Sequence, residues 1–243
     1  MVYSEEYRIK CYEVDSQLNY KAFSFMNMAQ EAAHIHSTIS KFGYDDIVGM
    51  KCAWVLSRAH VKFIKAPKWE DVVKLNTWSK GLEGLFAIRD FEMVDNTTNE
   101  QLVLATTSWL MIDTESRKIK RIDHVFTEKN SNKNDERSAI EKNCDKIKFE
   151  KDVEEIWSKV IRASDLDCNL HANNAKYLEW ALDTLDYETV KNEQIDEFKI
   201  VFNHEAKYND NVVMYRKQLS DKQYYIEGRC NSNNIFQITI NFK

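Results

Sequence analysis

The sequence predicts an α+β fold of two units in tandem, each a long central helix wrapped by an antiparallel β-sheet. First, an apolar helical segment precedes a series of strand-like stretches, and this order occurs twice in the 243 residues. Second, a polar and highly charged segment separates the two occurrences. Third, the halves align with each other without gaps around their helices, which indicates that one plan has been duplicated.

The first helix is predicted from Tyr20 to about Ser40, because apolar side chains lie nearly all round its helical wheel. Such a helix is buried on most of its sides. Four strand-like stretches follow, and their lengths and spacing suit an antiparallel meander. They are HVKFI at 60–64, VVKLNTW at 72–78, LFAIRDFEMV at 85–94 and QLVLATTSWLMI at 101–112.

The second half repeats this order of elements. A helix is predicted at about 174–188, where leucine and alanine residues recur at helical spacing. In the last predicted strand, Phe236, Ile238, Ile240 and Phe242 face one way while the polar residues between them face the other. The strands of this half are predicted near 198–204, 211–219, 222–230 and 235–242.

A charged linker from residue 127 to residue 152 connects the two units. Its sequence, TEKNSNKNDERSAIEKNCDKIKFEKD, is polar and lacks the alternation of a sheet strand. We therefore assign residues 1–126 to an N-terminal unit and residues 153–243 to a C-terminal unit.

Aligning the halves places Asp15 on Asp167, an offset of 152 residues. After the helices the offset falls to 140, where Ala66 pairs with Ala206, so the first copy carries extra residues between its helix and its strands. A helix followed by an antiparallel sheet that wraps it, twice over, is the tandem or double hotdog plan. A single hotdog unit buries its open sheet edge against a partner, and a tandem copy supplies that partner within one chain.

The composition excludes several classes of protein. The net charge of −5 and the pI of about 5.8 give the whole molecule no electrostatic footprint for nucleic acid or anionic lipid. The five cysteines are odd in number and never form a CxxC pair, which argues against a disulfide framework and a structural zinc site. No apolar run suits a membrane helix or a secretory signal, so we expect no membrane insertion and a cytoplasmic location.

The densest polar cluster precedes the second helix, at residues 164–174. In a loop or extended stretch with period two, Asp167, Asn169 and His171 point to the same side, and the following helix presents free N–H groups and the positive end of its dipole. That combination suits acid and base chemistry on a carbonyl that develops negative charge. The spacing alone equally allows a helix cap with an ordinary loop histidine.

The first half differs at the matched positions. It carries Asp15, Gln17 and Asn19, so it keeps a carboxylate and an amide but has no imidazole. In the following strand, Glu205 falls opposite Lys65. We therefore expect one site in the chain, in the second unit.

The segment RASDLDCNLHANNAKYLEW at 162–180 resembles the signature of the acyl-[acyl carrier protein] thioesterase family. In that signature a Ser-Asp-Leu-Asp-x-Asn-x-His-x-Asn-Asn run leads into a helix containing Lys-Tyr. NHEAKYNDNV at 203–212 resembles the strand of the same family that carries a functional glutamate. Residues 7–33 and 54–63 resemble the N-terminal half of the family, so the similarity extends over nearly the whole chain.

The resemblance implies a catalytic network of Asp167, Asn169, His171 and Glu205. It implies hydrolysis of fatty acyl thioesters of acyl carrier protein in a bacterial cytoplasm, with the acyl chain in an apolar pocket of the N-terminal hotdog. No metal and no organic cofactor is implied. A bound water is the expected nucleophile, activated by Glu205 and His171, with Asn169 on the thioester carbonyl and Asp167 orienting the site. Attack by a carboxylate to give an acyl anhydride stays open.

The chain departs from the plant enzymes of this family at one position. Those enzymes carry a cysteine directly after the glutamate, whereas this chain has Ala206, so a papain-like nucleophile is unavailable there. Cys168 lies inside the motif, and its period-two neighbours are leucines, which predicts a packed thiol.

Two groups of basic residues are candidates for binding the acidic carrier protein, with ordinary solvated faces as the alternative. They are Arg117, Lys118, Lys120 and Arg121, and Lys62, Lys65 and Lys68. Candidates for lining the acyl pocket, equally suited to ordinary core positions, are Phe23, Met26, Met28 and Trp54.

Three other functions use the same residues. A thioesterase for acyl coenzyme A has the same fold and chemistry, and an enoyl thioester hydratase pairs an Asp with a His, although Asn169 and Glu205 suit hydrolysis better. A non-catalytic acyl-binding module or sensor is the alternative from a different class. Both a monomer and a homodimer satisfy the pairing of hotdog units.

Overall fold

A computed structural model of the chain describes residues 1–121 and 137–243. The first half contains two helices and six strands within these residues: β1 (Val2–Arg8), α1 (Ala22–Ile39), α2 (Tyr44–Val48), β2 (Cys52–Phe63), β3 (Val72–Glu83), β4 (Phe86–Asp95), β5 (Gln101–Asp113) and β6 (Ile119–Lys120). The second half contains β7 (Glu154–Val160), α3 (Asn174–Leu182), α4 (Tyr187–Asn192), β8 (Ile195–Phe202), β9 (Asn211–Ser220), β10 (Gln223–Cys230) and β11 (Asn233–Phe242).

These strands form one antiparallel sheet that runs through both halves. Its order is β1-β3-β4-β5-β2-β8-β11-β10-β9-β7, with β6 paired to β5. Each half thus repeats the same strand order outward from the middle, where β2 and β8 pair antiparallel with Ala59 opposite Ile200. The predicted α+β tandem of hotdog units is confirmed.

The two central helices meet under this sheet and share one core. α1 contacts α3, and a single cluster of buried apolar side chains includes residues from both units. Phe25 of α1 and Leu178 of α3 are fully buried, and each such side chain contributes about 2 kcal/mol on burial. None of the helices within the described residues combines the length and the apolar run that a bilayer crossing requires.

Several element boundaries differ from the prediction. The helix predicted at 174–188 is two helices, because the Thr184 hydroxyl bonds to the Ala181 carbonyl oxygen (2.7 Å) and competes with further helical pairing. Strand β2 starts at Cys52, earlier than predicted. Neither β1 nor β7 is predicted, since both are edge strands whose charged side chains obscure their alternation.

The described part of the predicted linker, residues 137–152, contains neither helix nor strand and lies against both units. The Trp78 indole N–H donates to the Arg137 carbonyl oxygen (3.0 Å), and the Lys217 ammonium lies 3.0 Å from the Glu150 carboxylate. Residues 127–136 lie outside the described residues, and the division into 1–126, 127–152 and 153–243 stays a prediction.

A polar pair is buried between α1 and the sheet of the first unit. Arg89 of β4 donates to Nδ1 of His36 (2.7 Å) and to the Thr77 hydroxyl (3.2 Å). His36 is 1% exposed, and its Nε2 atom has no hydrogen-bond partner among the described residues. Burial, together with the positive charge of Arg89, lowers the pKa of His36 to about 4.

Replacing His36 is expected to weaken the acid sensitivity of the fold. The pKa of His36 is about 4 in the folded chain and 6.5 ordinarily, so below pH 6.5 the unfolded chain binds a proton that the folded chain does not. Stability therefore falls as the pH drops from 6.5 towards 4. In urea titrations between about pH 7 and pH 4.5, we expect His36→Gln to lose about 2 kcal/mol less stability than the wild type. His34→Gln, on the exposed side of the same helix, is the control, and equal losses in all three proteins would contradict the prediction.

Candidate active site

His171 and Glu205 come together at the start of α3. The Nε2 atom of His171 lies 3.2 Å from Oε2 of Glu205. Their two segments are joined by a β-bridge between His171 and Lys207 and by a hydrogen bond from the Ala172 N–H to the Ala206 carbonyl oxygen (2.9 Å). Glu205 lies in the connection between β8 and β9, so the prediction that it lies in a strand is wrong.

Asp167 organises the loop that presents His171. Its Oδ1 atom accepts hydrogen bonds from the backbone N–H groups of Asn169 (2.8 Å) and His171 (3.3 Å). The Asp167 N–H donates to the His171 carbonyl oxygen (2.8 Å), and Leu170 has a left-handed backbone with φ of 64°. The segment is therefore a closed turn, so of the two predicted forms, loop and extended stretch, the structure has the loop.

The exposed tip of this turn carries Cys168 and Asn169. The prediction of a packed thiol is wrong, because the extended geometry that would have turned Cys168 inwards is absent. The Asn169 side chain makes no hydrogen bond within the described residues, so its amide is available to a ligand at the mouth of the site.

The N-terminus of α3 is less open than the sequence predicts. The Asn173 side chain accepts from the Ala175 N–H (2.9 Å), and the Asn173 carbonyl oxygen accepts from the Lys176 N–H (2.9 Å). Two of the first N–H groups of the helix are thus already paired, as in an ordinary N-cap. The Asn169 amide is therefore a better candidate than the helix terminus for binding a developing oxyanion.

Tyr177 fixes the residue next to Glu205, a role that the motif alone does not reveal. Its hydroxyl oxygen accepts from the buried Ala206 N–H (3.0 Å), and burial raises the pKa of Tyr177. In the first unit the counterpart of Tyr177 is Phe25, which has no hydroxyl, and the counterpart of Ala206 is Pro67, which has no N–H. The donor and its acceptor are thus both present in the second unit and both absent from the first.

Arg117 of the first unit also reaches this site. It lies in the connection between β5 and β6, and its guanidinium forms an ion pair with Oε2 of Glu205. The side chains are half-buried to exposed, at 47% for Arg117, 31% for Glu205 and 19% for His171. Sequence reasoning places Arg117 only in a surface run of basic residues, because no local pattern links it to a residue 88 positions away.

The equivalent hydrogen bonds in the two units correct the alignment of the halves. The Tyr20 N–H donates to the Pro67 carbonyl oxygen, as Ala172 does to Ala206, so the second offset is 139 residues. Glu205 therefore corresponds to Ala66, and the predicted correspondence with Lys65 is wrong. The first unit lacks both members of the His171 and Glu205 pair.

A large cleft lies at this first-unit counterpart of the site. Its volume is about 640 Å³, and its lining includes Asp15, Gln17, Asn19 and Ala66. Its lining includes carboxylates but no histidine, so it lacks an equivalent of the pair of His171 and Glu205.

A small apolar pocket lies between α1 and the first-unit sheet, in the unit where the acyl chain is predicted to bind. Its free space is about 10 Å³, room for a single water molecule, and Met26 lines it. Gln30 lines it as well and accepts a hydrogen bond from the Asn174 side chain (3.3 Å), which connects the pocket to the polar motif. Phe23 lines the 640 Å³ cleft instead, and Trp54 packs near α2.

Most members of the two predicted basic groups already have anionic neighbours. Lys120 lies 3.2 Å from Asp113, Lys62 lies 3.8 Å from Glu197, and Lys65 lies 2.9 Å from Glu100. Within residues 1–121 and 137–243, no three His, Cys, Asp or Glu side chains are grouped so that they would hold a metal ion.

Comparisons with known proteins identify relatives along almost the whole chain. Residues 1–129 match the family model described as acyl-ACP thioesterase N-terminal domain, and residues 146–243 match the model described as acyl-ACP thioesterase C-terminal domain. An oleoyl-acyl carrier protein thioesterase of Coriandrum sativum is 24% identical over 223 residues, which cover 86% of this chain and 60% of that protein. A palmitoyl-acyl carrier protein thioesterase of Cuphea hookeriana is 27% identical over 218 residues, which cover 85% of this chain and 52% of that protein.

Two solved structures have the same architecture. An acyl-ACP thioesterase from Bacteroides thetaiotaomicron superposes with a TM-score of 0.88 at 22% identity, over 100% of this chain and 98% of that one. A 12:0-ACP thioesterase from Umbellularia californica superposes with a TM-score of 0.87 at 21% identity, over 100% and 97%. At these identities the likeness shows the fold. The chain spans about three fifths of the length of the coriander relative.

Asp167 and its counterpart Asp15 are expected to support their loops equally, although only one loop carries a histidine. Asp15 accepts from the Gln17 and Asn19 N–H groups (2.8 and 2.9 Å), as Asp167 does in its own turn. Losing the acceptor leaves these N–H groups without their partner, so we expect Asp167→Ala and Asp15→Ala each to cost about 1–3 kcal/mol of unfolding free energy. Asp167→Asn retains Oδ1 and is expected to cost less. Equal losses for the Ala and Asn variants in urea denaturation would show that the acceptor does not hold the turn.

Proposed function

Because the chain belongs to the acyl-ACP thioesterase family, we propose that it hydrolyses fatty acyl thioesters of acyl carrier protein, releasing free fatty acid and the carrier in fatty acid biosynthesis. The observation that carries this proposal is the pairing of His171 with Glu205 at 3.2 Å, inside the family motif and in the second unit alone. The relatives named above are thioesterases of acyl carrier protein, and this favours the carrier over coenzyme A as the leaving group.

The pair supplies the proton transfers that hydrolysis requires. Glu205 and His171 remove a proton from a water molecule as its oxygen bonds to the thioester carbonyl carbon. The carbonyl oxygen then carries negative charge, and the unpaired Asn169 amide donates to it. The tetrahedral intermediate collapses by breaking the bond from carbon to sulfur, and the proton held by the pair passes to the departing thiolate. The products are a carboxylic acid and the free thiol of the carrier.

Asp167, Tyr177 and the N-terminal unit position these groups. Asp167 closes the turn that presents His171, and Tyr177 holds Ala206 beside Glu205. The acyl chain enters past Asn174 and Gln30 into the space beside Met26. Because that space is closed without a ligand, substrate entry requires side chains to move, and methionine is well suited to this since its unbranched side chain repacks at low cost.

The proposed compartment is the bacterial cytoplasm. All five cysteines are free thiols, which suits a reducing environment.

Removing either member of the pair is expected to abolish turnover. We expect His171→Ala and Glu205→Ala to lower kcat at least about 100-fold, because each removes a proton acceptor from the reacting water. The measurement is fatty acid release from acyl carrier protein thioesters of several chain lengths, with the matching coenzyme A thioesters alongside. His204→Ala is the control, since this neighbouring histidine contacts the Asn234 carbonyl oxygen instead.

Three results would contradict parts of this proposal. Full activity of both variants, folded by circular dichroism, would remove the pair from the mechanism. Faster hydrolysis of the coenzyme A thioesters would replace the carrier as substrate. Binding of acyl carrier protein thioesters by the wild type without any release of acid would identify a non-catalytic acyl sensor.

Truncating Met26 is expected to shift chain-length preference. Met26→Ala enlarges the closed pocket, so kcat/KM for longer acyl chains should rise relative to that for shorter ones. Met28→Ala is the matched control, because Met28 is next to the Tyr20 hydroxyl (3.8 Å) and does not line this pocket. The readout is a ratio within each protein, so a general loss of stability does not affect it. The same chain-length profile in both variants would place the acyl chain elsewhere.

A further inference from the structure

We infer that Arg117 of the N-terminal unit is a positioning residue for Glu205, so that the active site is completed by both halves of the chain. The inference rests on the proposed hydrolysis. Its structural basis is the ion pair between the Arg117 guanidinium and Oε2 of Glu205, the same oxygen that lies 3.2 Å from His171. Two groups from separate segments, Arg117 and His171, thus meet at the carboxylate of a third segment.

The turn that carries Arg117 has a fixed backbone. The Asp113 carboxylate accepts from the N–H groups of Ser116 (2.8 Å) and Glu115 (3.1 Å), and the Arg117 N–H donates to the Asp113 carbonyl oxygen (2.9 Å). The hydrogen bonds from Ser116 hold the pKa of Asp113 well below its ordinary value, so this anchor stays ionised at neutral pH. Arg117 itself has a left-handed backbone with φ of 58°, which the turn enforces.

The acidic residues of this turn have basic partners other than Arg117, and the ion-pair partner of Arg117 is Glu205. Lys51 pairs with Glu115 at 2.8 Å, and Lys120 pairs with Asp113 at 3.2 Å while donating to the Met50 carbonyl oxygen. These contacts tie the turn to the segment that follows α2. The carboxylates nearest to Arg117 in sequence are therefore already engaged, and its own partner is the distant Glu205.

The ion pair of Arg117 with Glu205 affects the proposed reaction more than it affects the stability of the fold. A half-exposed ion pair contributes little to the free energy of folding, so stability alone gives this contact little weight. A planar guanidinium, in contrast, fixes the direction of a carboxylate through several N–H donors. With Oε2 held by Arg117 and His171, the other oxygen of Glu205 is directed to the water. The first unit has Ala66 at the counterpart position and so lacks an equivalent of Glu205.

The competing role for Arg117 is the docking of the acidic carrier protein, which the run of basic residues predicts. The two roles differ in which substrates they affect. A docking residue acts only on substrates that carry the protein, and it acts through KM. A positioning residue acts on every thioester, and it acts through kcat.

The test compares Arg117→Ala, Arg117→Lys and the control Lys148→Ala, an exposed lysine that belongs to neither basic group. Each is assayed with an acyl carrier protein thioester and with a short acyl N-acetylcysteamine thioester that lacks the protein. We expect Arg117→Ala to lower kcat about 10- to 100-fold with both substrates at unchanged KM, since misplacing a catalytic group costs about that much. Arg117→Lys should recover part of the loss and Lys148→Ala should behave as the wild type.

Chemical rescue provides the second readout. Added guanidinium ion should restore part of the kcat of Arg117→Ala but none of that of Glu205→Ala, because only the first variant retains the carboxylate that the cation binds. A loss confined to KM for the carrier substrate would overturn positioning in favour of docking. An unchanged kcat with both substrates would reduce the contact to a surface ion pair. If the wild type hydrolyses neither thioester, the proposed function fails as well, and that result is distinct from the other two.

Discussion

The antiparallel pairing of β2 with β8 is the contact on which the rest of the molecule depends. It joins the two units edge to edge, so that neither β2 nor β8 is left as an unpaired edge strand, and it brings α1 and α3 together on one side of the sheet. Because the strand orders run outward identically from this pair, the halves are related by an approximate twofold rotation. Each unit has a polar loop beside a cleft, and the other unit therefore forms one wall of that cleft.

The two units share the backbone structure of the polar loop, but the side chains that it carries differ. Both units hold the same turn through a carboxylate, Asp15 in one and Asp167 in the other, and both have a left-handed leucine at the equivalent position. The side chains that act on a substrate differ: Asn19 stands where the second unit has His171. The second unit also has both the Tyr177 hydroxyl and the Ala206 N–H that donates a hydrogen bond to it. The second unit thus differs from the first by a whole set of polar residues that contact one another, and the difference is not limited to one residue.

The division of work between the units follows from this arrangement. The first unit has an apolar space beside α1, and the second has the pair of His171 and Glu205. A hydrogen bond from the Asn174 side chain to Gln30 links the polar motif to that space. Arg117 of the first unit contacts the Glu205 carboxylate of the second, a contact that neither unit forms alone.

The sequence by itself determined the double hotdog plan and the segments that carry the site, because apolar periodicity and the motif at 162–180 are local properties of the chain. Comparison of the two halves of the sequence also identified His171 and Glu205 as candidate site residues. Only the tertiary structure decided that Asp167 closes a turn, that Cys168 is exposed and that Glu205 corresponds to Ala66. It alone paired Arg117 with Glu205, since contacts between residues far apart in sequence depend on how the two units meet and leave no periodic pattern in the chain.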